Sequence, residues 1–95
     1  MRYPQRRSDV RVHELDGEAL IFDPVSADTH RLNETALFVW RHCDGRHSAG
    51  QVAQKLTQAY DVSVEVAVEC VMRVVDQFES SGLLLARVDG EADGT

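Results

Sequence analysis

The pattern of apolar and polar positions changes period twice along the chain, from strand-like to helical and then to extended. Val10, Val12 and Leu15 approach a two-residue alternation, and Ala19-Leu20-Ile21-Phe22 follows as a short apolar run. Asp16-Gly17 lies between them, a dipeptide that favours the positive φ angles of a type I′ hairpin turn. Thr29-His30-Arg31-Leu32 reads as a third strand, with His30 and Leu32 on one face and Thr29 and Arg31 on the other. The connecting segment 23–28 (DPVSAD) reads as a loop, because Pro24 cannot donate to a ladder.

From Asn33 onward the period becomes helical. Asn33 is a favoured N-cap, and Glu34 complements the positive end of the helix dipole. Ala36, Leu37, Val39 and Trp40 give this first helix an apolar side, and Asp44-Gly45 ends it. Ser48 and Gln51 have the spacing of a capping box ahead of a second helix carrying Val52, Ala53, Leu56, Ala59 and Tyr60. Ser63 caps a third helix that runs to about Ser80, where Gly82 supplies a left-handed C-cap. Leu83-Leu84-Leu85 then leads, extended, toward Val88. The expected fold is α+β: a three-stranded antiparallel sheet followed by three α-helices, in a winged helix-turn-helix-like outline.

The third helix is more apolar than a core requires. At 100° per residue, Ala67, Cys70, Val71, Val74 and Phe78 share one stripe that suffices for packing. Val64, Val68, Met72 and Val75 widen it round one flank, while Glu65, Glu69, Arg73 and Asp76 occupy the opposite flank. A surface helix normally shows a stripe a little over 100° wide. The surplus is expected either to pack against the strands or to form the wall of a groove, with Val68, Met72 and Val75 partly exposed.

Composition narrows the function. The chain has 95 residues, enough for one domain. Residues 1–8 (MRYPQRRS) read as a flexible basic arm, 9–88 as the folded domain, and 89–95 (DGEADGT) as a disordered acidic tail. Ten basic residues face 16 acidic ones, a net charge of −6 that disfavours binding to phosphate backbones. No apolar run is long enough to span a membrane, no signal peptide is apparent, and Cys43 and Cys70 cannot build a disulfide framework. These features fit a cytoplasmic protein with reduced thiols.

Candidate chemistry is sparse. His42, Cys43 and His47 cluster without the spacing of a zinc site, no glycine-rich phosphate loop is present, and the carboxylates are scattered. No cofactor, metal site or catalytic residue is expected. A DNA-binding winged helix is the competing reading, with Arg2, Arg6 and Arg7 on its side. A recognition helix, however, presents Arg, Lys, Asn or Gln to base edges. The third helix offers Glu65, Glu69, Asp76 and Glu79 against Arg73 alone.

An ordered set of motifs is more specific. Asp16-Gly17-Glu18, His30-x-Leu32-Asn33-Glu34, Trp40, Asp44-Gly45, Ser48, Leu56, Tyr60, Phe78 and Gly82-Leu83-Leu84 together resemble the PqqD family over roughly residues 10–86. The resemblance implies a recognition domain that captures the leader of a ribosomally made precursor peptide and presents it to a modifying enzyme, often a radical SAM enzyme. It implies that the leader docks as an added strand along Thr29, His30, Arg31 and Leu32, facing Val64, Val68, Val71, Met72 and Val75. The sequence departs from the family at His30, where the residue is often aromatic. An open strand edge also allows a weak or domain-swapped dimer beside the monomer.

Overall fold

The computed structural model describes residues 3–85. The first strand, β1 (Arg11–Leu15), turns at Asp16-Gly17 into β2 (Glu18–Asp23). Asp16 and Gly17 have φ angles of 53° and 81°, the two positive values a type I′ turn requires. The next strand, β3 (Asp28–Leu32), pairs antiparallel with β2 from Ala19↔Leu32 to Asp23↔Asp28. The β2–β3 connection is therefore a tight hairpin, shorter than the segment 23–28 read as loop. Asp23 closes it by accepting the Ala27 amide on its carbonyl and the Val25 amide on Oδ1.

The three helices are α1 (Glu34–Arg41), α2 (Ala49–Ala59) and α3 (Val64–Ser80), each started by the cap its sequence suggests. The Asn33 side chain accepts from the Ala36 amide, Ser48 and Gln51 bond reciprocally, and Ser63 accepts from Val66. Gly82, at φ 73°, ends α3 in a Schellman motif. In it the Leu83 amide donates to the Phe78 carbonyl and the Gly82 amide to that of Glu79. The same turn buries Leu83 beside Phe78.

One face of the sheet and the three helices enclose the core. Ile21 and Leu32 come from the strands, Leu37, Val39 and Trp40 from α1, Val52 and Leu56 from α2, and Ala67, Val71, Val74 and Phe78 from α3. Each large apolar side chain buried here stabilises the fold by about 1.5–3 kcal/mol. Trp40 and Phe78 meet edge to face, 5.3 Å apart. The other face of the sheet leaves Leu20 and Phe22 partly exposed.

In place of a free arm, residues 3–8 form a strap. Its backbone runs between the α1–α2 loop and the chain after α3: the Arg6 amide donates to Cys43, Gly45 to Pro4, Arg7 to Leu83 and Leu85 to Gln5. The basic residues drive this arrangement. Arg6 extends its guanidinium to the carbonyls of Trp40, Arg41 and Cys43 at the end of α1. Arg7 pairs with Asp9 and with Asp23, which is only 3% exposed. Residues 1–2 and 86–95, including the proposed acidic tail, lie outside the described residues.

The Arg7 hydrogen bonds hold the carboxyls of Asp23 and Asp9 below their ordinary value of 3.8. A depressed folded-state value means that the unfolded chain takes up protons first on acidification. The contribution of Asp23 is therefore complete above the ordinary value and is lost as pH falls through the folded one. Melting temperature is expected to fall in this acid range, and Asp23→Asn to be less stable at neutral pH with a shallower acid slope. Thermal melts from pH 7 to pH 2.5 measure both; parallel curves for the two proteins would show that the pair is energetically silent.

Candidate functional site

β3 is an edge strand, since the sheet order is β1-β2-β3. Beyond that edge lies a groove of about 910 Å³ whose other wall is α3. Thr29, His30, Arg31 and Leu32 form its strand side. Val68, Glu69, Met72, Arg73, Asp76, Gln77, Phe78 and Ser80 form its helix side, and Ser81 and Leu83 line its remainder.

The geometry follows from the helix period. Val71 is 0% exposed and Val75 is 7% exposed, so both belong to the core, as do Ala67, Val74 and Phe78. Val68 and Met72 sit just beyond that stripe, 39% and 48% exposed, and face the groove. This corrects the sequence reading: Val71 and Val75 stand behind the groove wall, in the core. Cys70, placed on the core stripe, is only half-buried.

Val64 is exposed but does not line the groove. A five-residue strand spans about 17 Å, whereas a 17-residue helix spans about 25 Å. The first turn of α3 therefore overshoots the strand. Sequence reasoning misses Glu69, Arg73 and Asp76: it places them on the charged flank opposite the apolar one, yet they line the groove. Spacing held the signal: Val68 and Met72 mark the border of the apolar stripe, so a groove floored by them turns onto the next row of residues, the charged one.

His30 shares the inner face of β3 with Leu32, as alternation requires, and stands opposite the fully buried Ile21. Leu32 is buried while His30 is only partly so, placing His30 where the core gives way to the groove. Thr29 and Arg31 point to the other face and offer the groove mainly their backbone edge; Arg31 reaches Glu18 at 3.4 Å.

The histidine–cysteine cluster does not converge. The Cys43 thiol is buried in the core, and desolvation pushes it up to about 12. His42 is engaged with the Phe38 carbonyl and His47 with Asp44. Among the described residues no group of three or more histidine, cysteine, aspartate or glutamate side chains is placed to hold a metal ion, and no helix is long and apolar enough to cross a membrane.

Fold and groove together define a class: a small winged-helix-like domain with an open cleft along a free strand edge. The model of the family described as Coenzyme PQQ synthesis protein D (PqqD) matches residues 18–84, and the chain belongs to this PqqD family. Three solved structures share the fold. One is TbiB1 in complex with the TbiA(beta) leader peptide, with a TM-score of 0.77 at 11% identity, covering 87% of this chain and 96% of that one. A lasso peptide synthetase B1 complexed with the leader peptide scores 0.76 at 26% identity, covering 88% and 99%. The third is the PqqD truncation of Methylobacterium extorquens PqqCD, described as a functional and stand-alone RiPP recognition element. It scores 0.71 at 22% identity, covering 87% and 88%. No curated protein sequence matches the chain.

Proposed function

We propose that the chain is a peptide chaperone that binds the leader of a ribosomally made precursor by strand addition and presents it to a modifying enzyme. The observation that carries this reading is the groove itself: an unpaired strand edge, Thr29 to Leu32, faces the apolar positions Val68 and Met72 across an open cleft. A free edge supplies main-chain donors and acceptors, and a neighbouring apolar wall supplies pockets for alternate side chains. Family membership supports the reading, as do two structural relatives described as leader-peptide complexes.

In this reading the protein recognises rather than catalyses. Thr29, His30, Arg31 and Leu32 provide the pairing edge, Val68 and Met72 provide the pocket, and Val71 and Val75 hold the helix in place behind it. The enzyme receiving the captured peptide is of the radical SAM class, following the family resemblance, and it finds the bound precursor's core segment outside the groove.

A short peptide is expected to be encoded beside the gene of this protein, and calorimetric titration with its two synthetic halves tests the proposal directly. The N-terminal half is expected to bind with a dissociation constant on the order of micromolar, about −8 kcal/mol. The C-terminal half is expected to give no heat. Equal binding of both halves, or of neither, would overturn the leader-capture reading.

A further inference from the structure

One polar group on the groove wall is left without a partner by the fold. His30 Nε2 is shielded from solvent and has no hydrogen-bond partner among the described residues. Native proteins leave few buried nitrogens in this condition, and each one asks what completes it. Here the answer can come from outside the chain once the ring turns: Nε2 is covered in the unbound protein, but the His30 side chain lines an open groove. It does so beside a strand edge able to take another strand.

The surroundings restrict what that group can be. Glu69 and Asp76 line the same groove and disfavour a carboxylate, and a cationic side chain would pair with them rather than with an imidazole nitrogen. The remaining wall near His30 is apolar, with Leu32, Val68 and Met72, so a large polar head with several hydrogen bonds to satisfy would be left short of partners. A hydroxyl is small, neutral, and both donates and accepts, so it pairs with Nε2 in either tautomer.

We infer that His30 selects a hydroxyl-bearing residue, serine, threonine or tyrosine, in the captured segment. This rests on the strand-addition reading proposed above. In an added strand, alternate side chains share one face. The residue beside His30 and the residue beside Leu32 are then two positions apart in the ligand. The recognised pattern is a hydroxyl residue and an apolar residue separated by one position.

Selection of binders from a displayed library of random dodecapeptides tests this. Wild-type protein is expected to enrich the hydroxyl–x–apolar pattern, in either direction. His30→Leu is expected to replace the hydroxyl by an apolar residue, and His30→Gln, which keeps a hydrogen-bonding group, to retain it. For one selected peptide, removing the hydroxyl (Ser→Ala, Thr→Val or Tyr→Phe) is expected to weaken binding to wild type about tenfold. Binding to His30→Leu should change by no more than about twofold. Identical patterns from wild type and His30→Leu would overturn the role of His30 and leave peptide capture intact. If no peptide is enriched, or if Met72→Asp binds the selected peptides as well as wild type does, groove capture itself fails.

Discussion

Proline on the free edge of β3 is expected to abolish peptide binding while the helices remain formed. Adjacent residues of a strand direct their amides to opposite sides, so of His30 and Arg31 one donates toward β2 and the other toward the open edge. Of the variants His30→Pro and Arg31→Pro, one therefore removes an outward donor and spares the β2–β3 hairpin. Its ring also stands where an incoming strand must lie. Loss of the ladder bond together with this obstruction is expected to weaken affinity by about a hundredfold or more. Circular dichroism identifies the variant that keeps its fold, and calorimetry with the leader half-peptide reads the loss. Wild-type affinity in the variant that keeps its fold would rule out strand addition at this edge.

Two neighbouring residues on α3 give an equally large contrast. Val71→Asp is expected to unfold the domain, because Val71 is fully buried and a carboxylate there has no partner. Placing an unpaired charge in an apolar core costs several kcal/mol, comparable with the roughly 5–15 kcal/mol by which a whole domain is stable. Met72→Asp, one position on, leaves the fold intact and reduces peptide affinity on the order of tenfold or more, since half-exposed Met72 contributes to the groove rather than the core. Thermal melts and titrations separate the two effects. Unfolding by Met72→Asp would place that side chain in the core and remove the apolar floor from the site.

Local chemistry made most of the fold legible in the sequence. Asp16-Gly17 specified its hairpin, Asn33, Ser48 and Ser63 specified three helix starts, and Gly82 specified the end of α3. Each acts over a few residues, so a reader of the chain meets cause and effect together. The strap escaped notice because its causes are distant: Arg7 finds Asp23 sixteen residues away and the Gly82 carbonyl seventy-five away. A basic, proline-containing terminus looks the same in sequence whether or not such partners await it.

The candidate site was legible only in part. Periodicity singled out an over-wide apolar helix; that its flank faces the edge of β3 came from the family resemblance, since no strand pattern states its own place in a sheet. Nor did periodicity settle how the helix is rotated about its axis. A rotation of a few tens of degrees decides that Val75 and Val71 point inward, that Val68 and Met72 form the floor, and that Glu69, Arg73 and Asp76 share the groove. That angle is set by packing of α3 against α2 and α1, which no single helix carries in its own pattern.

Amide mapping by NMR provides the most direct test of strand addition in the β3–α3 groove. The isotope-labelled domain would be titrated with the unlabelled leader half-peptide, and hydrogen exchange followed at each amide. Shift changes are expected to concentrate at residues 29–32 and along the groove side of α3 around Val68 and Met72. The outward amide of the His30–Arg31 pair should gain strong protection, as a newly paired ladder group does. A peptide that binds while β3 amides stay unprotected, with shifts gathered on the outer sheet face around Leu20 and Phe22, would contradict the account.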